Sequence, residues 1–313
     1  MNYKACIIGC GRIAGRYDFP NNGTYVGTHA RAYFEHDKFQ ISAICDHDKN
    51  NLNKFAKTWD VPNLYLDIDE LIKNECPDVI SICTPTNNHF DHLIRVIKSE
   101  NPPKVIFLEK PVCEDSNQYE KILKIAEEYS ILVLVNHIRR FDPGHRKVKE
   151  YISSGNLGKL INGKVTYYGD WLNNGCHIID TLIMFFNEID LDDKNSKGNF
   201  CVNIDKAEVR IEFFDEKYFQ LYESDFRFEN GRITINDFGS EINIEKVSKN
   251  EWGENVLTPI SKTPIIGLDS PVFHAIDAIY QYLTDKKDLT KSGTTLFHTK
   301  NTMNIVWQVL NNG

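Results

Sequence analysis

The stretch Ala5-Cys6-Ile7-Ile8-Gly9-Cys10-Gly11-Arg12-Ile13-Ala14 decides how the rest of the 313-residue chain is read. A short apolar run of strand type passes straight into a Gly-x-Gly-x-x-Ala turn. Gly9 permits a tight strand-to-helix turn, Gly11 lets backbone approach a pyrophosphate, and Ala14 allows a helix to pack closely on a sheet. Arg12 and Ile13 belong to the same cofactor-contacting turn. Phosphates there would face a helix N-terminus, where unpaired N–H groups and the dipole favour anions. Such a turn often occurs by chance; its weight comes from following a buried-type strand at the start of a βα series.

That series continues to about residue 135. Strand-like apolar runs cover residues 5–8, 40–45, 79–83, 105–108 and 131–135. Between them, residues 28–36, 49–59, 68–74, 89–99 and 116–129 carry apolar side chains at three- and four-residue intervals. Near-continuous apolar strands alternating with helices predict a parallel sheet covered on both faces, and right-handed crossovers make it doubly wound. Beyond residue 135 the pattern changes. Two helices are expected at 143–154 and 175–186. Near-alternating strands follow at 206–214, 218–224, 226–236 and 240–246, which predicts a mostly antiparallel sheet, and helices at 272–283 and 294–310 close the chain. Residues 190–199, charged and polar, read as a surface loop. The expected division is 1–135, a dinucleotide-binding domain, and 136–313, an α+β domain whose final helix packs back on the first.

Asp46 ends the second apolar run, where a carboxylate suits the adenosine ribose hydroxyls and repels a 2′-phosphate; this favours NAD over NADP. The alternative is a cap for the following helix. Asp46 lies 32 residues after Ala14, longer than the roughly 20 of the general fingerprint. A loop inserted at 17–23 accounts for the excess. Thr84 and Pro85 follow the apolar run 79–83 and should line the dinucleotide, because ligands bind beyond the carboxyl ends of such strands. His89 is placed with the cofactor segment, its plainer role being to start the next helix.

Lys110, in Glu109-Lys110-Pro111, follows another strand end and is directed to the same place. Pro111 holds it extended. A lysine there can polarise a hydroxyl or carbonyl and stabilise a developing alkoxide, and Glu109 balances its charge. In the second half, His177 and Asp180 are three residues apart on one helix face. A histidine beside a carboxylate suits a general base, so His177 is paired with Lys110 as the catalytic couple. Tyr168, Trp171, Asn173 and Asn174 precede it as candidate substrate contacts; Tyr167, Tyr168 and Trp171 either stack on a sugar or pack the junction. Arg12, Arg16, Arg139 and Arg140 are candidates for phosphate or carboxylate groups.

Taken in order, the Gly9–Ala14 turn, Asp46, Thr84-Pro85 with His89, Glu109-Lys110-Pro111, Asn136 with Arg139-Arg140-Phe141, and Gly175-x-His177-x-x-Asp180 resemble the Gfo/Idh/MocA family of sugar and polyol oxidoreductases over residues 1–187, with Ser292-Gly293 a weaker match. The resemblance implies a Rossmann domain, a second α/β domain carrying oligomer contacts, a nicotinamide cofactor, hydride transfer at a sugar carbon, and Lys110 with His177 as catalytic pair. Where some members carry a catalytic Asp four residues before the His, this chain has Asn173, which cannot exchange protons near neutral pH. Any proton relay then rests on Lys110 and His177.

Composition bounds the rest. A net charge of −8 without a basic stripe excludes nucleic acid as an expected partner. No apolar run approaches the roughly 20 residues a bilayer requires, and no signal peptide is expected. The eight cysteines lack metal spacing and read as reduced thiols, so no metal is expected and the location expected is cytoplasmic. The leading expectation is an NAD-dependent dehydrogenase of a sugar, aminosugar or nucleotide-sugar, acting as a homodimer or homotetramer. The alternatives are a cofactor-binding sensor or assembly protein without turnover, motivated by Asn173, and a reductase of non-sugar carbonyls or diols.

Overall fold

The computed structural model describes residues 2–312 except 20–22, 24, 193–198 and 292. The chain divides into two units, residues 1–141 with 270–303, and residues 142–269 with 304–313.

In the first unit the strands are β1 (Tyr3–Ile8), β2 (Phe39–Cys45), β3 (Asn63–Tyr65), β4 (Val79–Ile82), β5 (Val105–Leu108) and β6 (Leu132–Val135). All neighbours are parallel, in the order β3-β2-β1-β4-β5-β6. This is the doubly wound order, whose switch point lies between β1 and β4. The helices are α1 (His29–Glu35), α2 (Lys49–Trp59), α3 (Ile68–Glu75), α4 (Thr86–Ile97) and α5 (Ser116–Glu128). Val79, Ile80 and Ile82 of β4 and all four residues of β5 are fully buried, as a sheet covered on both faces requires. The three-residue β3 had no apolar run to announce it; Asn63 and Leu64 are exposed at the sheet edge.

One expectation is corrected here. The turn at Gly9–Ala14 does not lead into a helix N-terminus. A short stub of hydrogen-bonded turns ends in a 3-10 turn at Arg16–Asp18, and α1 begins only at His29. The stub's carbonyls then receive the new helix: His29 N–H donates to Ile13 O at 3.2 Å and Ala30 N–H to Ala14 O at 2.8 Å. In an unbroken α-helix residue 17 would donate to Ile13, so the chain carries 12 extra residues at this point, and 32 minus 12 leaves 20 between Ala14 and Asp46. The inserted segment is tied down by Thr28, whose hydroxyl donates to Asp18 Oδ2 at 2.6 Å and accepts from Arg31 N–H.

The second unit holds α6 (Pro143–Ser153), β7 (Leu160–Tyr168), α7 (Cys176–Phe186), β8 (Asp190–Leu191), β9 (Phe200–Ile204), β10 (Ala207–Phe214), β11 (Glu223–Phe228), β12 (Gly231–Asn236), β13 (Glu241–Lys249), β14 (Asn255–Pro259) and β15 (Ile265–Ile266). They make a nine-stranded sheet ordered β14-β13-β12-β11-β7-β10-β9-β8, with β15 on β13; β7–β10 is parallel and the other pairs antiparallel. The expected strand at 226–236 is a hairpin, because Glu229-Asn230 forms a two-residue turn between Phe228 and Gly231. The strand expected at 218–224 begins only at Glu223. Residues 190–199 open with β8, and most of the remainder lies outside the described residues. The unpredicted β7 is central. Gly163 in its middle reads as a breaker, but a Cβ there would stand 2.9 Å from Phe226 and 3.1 Å from Val209, so the packing demands glycine.

After β15, α8 (Pro271–Leu283) returns to the first unit, where Val272, Ala275, Ile276 and Ile279 join the core around β1 and α1. The division between units falls within α9 (Leu296–Asn312). Among the described residues no helix is long and apolar enough to cross a membrane. Phe107, fully buried on β5 with its ring edge-on to Phe141, is the test of this core. Phe107→Ala should cost about 3–5 kcal/mol in urea unfolding; a loss below about 1 kcal/mol would contradict the placement.

Candidate cofactor and active site

The switch point opens into a cleft of about 590 Å³, lined in part by Gly9, Gly11, Asp46, Thr84, Pro85 and Arg95. Its floor is backbone brought close by glycine. Gly9 has φ +92°, and a Cβ on it would stand 2.9 Å from the Cys83 carbonyl and from Thr84 Cγ2. Gly11 is different. A Cβ there would meet nothing nearer than Cys83 O at 3.9 Å, so the missing side chain leaves open space over the turn. That is the cradle a pyrophosphate needs.

Asp46 does not cap α2; Asp48 does, accepting from Asn50 and Asn51 N–H. Asp46 instead ties the strand ends together. Its Oδ2 accepts from Cys10 N–H at 2.7 Å and its Oδ1 from Asp48 N–H at 2.9 Å. A carboxylate offers about four lone-pair sites, so two bonds leave capacity for a ribose diol. These features fit a nicotinamide dinucleotide, with Gly9 and Gly11 at the pyrophosphate and Asp46 at the adenosine ribose.

His89 lies beneath this wall and is buried. One ring nitrogen is 2.8 Å from Pro111 O and the other 2.8 Å from Thr84 O, so the ring braces the loop after β5 against the loop after β4. Burial pulls its pKa below the ordinary histidine value, against the raising effect of those carbonyls. A neutral ring carries one N–H and donates to one carbonyl at a time.

Glu109 is buried and stands at the centre of a polar network. Its Oε1 is 2.8 Å from His29 Nε2 and accepts from Asn136 Nδ2 at 2.6 Å. His29 Nδ1 is 3.0 Å from Ser81 Oγ, which is 2.9 Å from Tyr33 OH. Burial pushes the Glu109 carboxyl up, but the bonds from His29 and Asn136 and the charge of Lys110 outweigh it and hold the pKa below the ordinary value. The anion is thus fixed under the segment that carries Lys110. His29 and Ser81 were not among the sequence candidates. A serine inside the apolar β4 was the available signal, since a buried hydroxyl needs a partner.

In the second unit, a π-type turn at Trp171–Gly175 precedes α7, which carries His177 on its first turn and Asp180, buried, one turn on. Asp170 holds the turn: it accepts from Asn173 N–H at 2.9 Å and from the Asn173 side-chain amide at 2.9 Å and 3.1 Å. Asn174 donates to Tyr168 O at 2.7 Å. Trp171 is buried, with its ring edge-on to Phe200 at 4.7 Å and its indole N–H donating to Val306 O at 3.0 Å. Tyr168 is half-buried beside Phe238. In the first unit Arg139 is buried in a 3-10 turn, Arg140 lies against Gly293, and Arg12 and Arg16 are exposed, Arg16 reaching Asn51 at 3.5 Å. Ser292 lies outside the described residues. Burial pushes the Cys6, Cys45 and Cys113 thiols up to about 12, which leaves them unreactive near neutrality.

Residues 3–137 match the model of the Gfo/Idh/MocA oxidoreductase family, NAD-binding Rossmann fold. That match lies within the first unit and covers less than half of the chain. Curated relatives include oxidoreductase P35 of Formosa agariphila, 25% identical over 51% of this chain and 45% of its own, and myo-inositol 2-dehydrogenase of Thermotoga maritima, 28% identical over 49% and 41%. The chain thus spans less than half the length of these curated relatives. Among solved structures, an oxidoreductase from Agrobacterium radiobacter in complex with NAD+, L-tartaric acid and magnesium superposes with TM-score 0.76 at 14% identity, covering 100% of this chain and 96% of its own. The 3-ketoreductase KijD10 from Actinomadura kijaniata, in complex with NADP and TDP-benzene, does so with TM-score 0.76 at 16% identity, covering 100% and 98%. At these identities the likeness is one of fold.

Because the Glu109 pKa is lowered, its ionised form stabilises the folded state above the unfolded-state value, ordinarily 4.5, and that contribution disappears as pH falls through the folded value. Glu109→Gln should therefore lower stability at pH 7 by about 1–3 kcal/mol and lose less than wild type on acidification below pH 4.5. Urea unfolding across pH checks both; parallel pH curves for the two proteins would contradict the buried anion.

Proposed function

We propose that the protein is an NAD-dependent dehydrogenase that moves a hydride between the nicotinamide and a hydroxyl-bearing or carbonyl carbon of a sugar, aminosugar or nucleotide-sugar. The observation that carries this reading is the cleft at the switch point, open above Gly11 and closed on one side by Asp46 with spare acceptor capacity. The sugar or polyol class draws support from the inositol dehydrogenase among the relatives, and the nucleotide-sugar option from the TDP compound held by the structural neighbour.

When bound, the cofactor supplies the two-electron acceptor or donor. The chain's own groups bind, orient and handle the proton. Gly9 and Gly11 admit the pyrophosphate, with Arg12, Ile13, Ala14, Thr84 and Pro85 around it. Asp46 accepts from the ribose hydroxyls, and its charge disfavours a 2′-phosphate. Lys110 presents an ammonium to the reacting oxygen, stabilising alkoxide character as the O–H proton leaves. Glu109, held anionic by His29 and Asn136, balances that ammonium from below. His177 takes or returns the proton, since Asn173 cannot. Arg139, Arg140, Tyr168, Trp171, Asn173 and Asn174 complete the proposed substrate contacts, Trp171 indirectly, because its ring is packed inside its own unit.

Lys110→Ala should lower turnover, followed at 340 nm across a panel of sugars and nucleotide-sugars, by at least about 100-fold. NADH binding should change by less than about threefold. His177→Ala should produce a loss of similar size. Normal turnover by Lys110→Ala would overturn the assignment. Wild-type protein that binds NADH but turns over nothing in the panel would favour the sensor reading.

A further inference from the structure

The cleft contains an arginine that the proposed function does not use. Arg95, on α4, lines it together with Asp46, His47, Leu66 and Ile68. In dinucleotide folds an arginine near the ribose carboxylate is the usual receptor for the 2′-phosphate of NADP. Here the guanidinium is already engaged. Its Nε and one terminal nitrogen form a two-pronged pair with Asp69, at 3.1 Å and 2.8 Å, and that terminal nitrogen also donates to Asp67 Oδ2 at 2.7 Å. Two carboxylates thus take up one cation. Asp46 lines the same cleft as Arg95; Arg16 reaches the cleft-lining Asn51 at 3.5 Å, His47 is exposed on the rim with Nδ1 3.3 Å from Asp46 Oδ1, and burial and Arg95 lower the His92 pKa. Asp67, Asp46 and Arg95 all act on the Cys45 thiol at the end of β2, which places them at one locality.

We infer that Asp67 and Asp69 are specificity-determining residues, which hold Arg95 away from phosphate recognition and so reinforce the preference of this cleft for NAD over NADP. The inference rests on the cofactor reading above. It assigns to two acids on the β3–α3 segment a role separate from that of Asp46. A 2′-phosphate brought here would meet the Asp46 carboxylate and would have to compete with Asp67 and Asp69 for the Arg95 guanidinium.

Asp67→Asn with Asp69→Asn frees Arg95 without removing it. Asn at position 67 can still cap α3, which Asp67 now does by accepting from Asp69 and Glu70 N–H. Fluorescence titration with NADH and NADPH, alongside a thermal melt, reads the outcome. The double variant should bind NADPH at least about tenfold more tightly than wild type, with NADH affinity unchanged within about threefold. Adding Arg95→Gln should remove most of that gain. An unchanged NADPH-to-NADH ratio in the folded double variant overturns the inference, as does a gain fully retained without Arg95. If the double variant melts early, Asp69→Asn alone is read against the same criteria, since Asp69 is exposed and its side chain caps no helix. Wild type that binds neither nucleotide overturns the cofactor reading itself, whereas wild type that binds NADH beside an unresponsive variant overturns only the role of Asp67 and Asp69.

Discussion

The bond from Cys10 N–H to the Asp46 carboxylate is the interaction on which the candidate cofactor site depends. It joins the turn after β1 to the end of β2, and Asp46 also accepts from Asp48 N–H at the entrance to α2. Each bond uses an acceptor site on a carboxylate that is largely shielded from water. The same group is therefore fixed in place and still able to accept from a ligand. Gly9 completes the arrangement from the other side, since its left-handed backbone lets the turn lie against the Cys83 carbonyl and Thr84. Strand ends, turn and carboxylate form one constrained unit, and the cleft is the space they leave.

A second constraint lies under Lys110. A buried anion is costly unless several donors meet it, and Glu109 receives His29 and Asn136, with Ser81 and Tyr33 extending the network through His29. These residues come from α1, β4, the end of β5 and the segment after β6. Together with His89, which braces the loops after β4 and β5, they make the floor beneath Lys110 a cross-linked layer of polar contacts inside an apolar sheet. A lysine carried on that floor has its backbone position set by folding, before any ligand arrives.

Much of the first unit was legible because buried parallel strands and amphipathic helices have distinct periods, and because the Gly9–Gly11 turn directly follows a buried-type strand at the start of the series. The 12-residue interruption of the first helix was visible only as an excess interval to Asp46; that the stub's carbonyls recapture α1 depends on backbone bonds between residues far apart in sequence. His29 looked like any residue at a helix start, and its pairing with Glu109 spans 80 residues. The Arg95 contacts with Asp67 and Asp69 span 28 and 26. No local pattern encodes such pairs. In the second unit β7 carries no clear strand pattern in the sequence, because Gly163, packed close to Phe226 and Val209, interrupts it. Trp171, an aromatic near the His177 motif, proved to be packed against Phe200 and bonded to Val306; aromatic rings serve cores and sugars alike, and only the packing tells them apart.

The central claim is that this chain is built around a dinucleotide, with Asp46 and the Gly9–Gly11 turn as its receptor. Native mass spectrometry of the intact protein, incubated with NAD and with NADP in separate samples, tests it most directly. The account predicts one NAD per chain, with NADP retained to a much smaller extent, and loss of the NAD adduct in Asp46→Ala. A folded protein that retains neither nucleotide, or that retains NAD equally well without the Asp46 carboxylate, would contradict it.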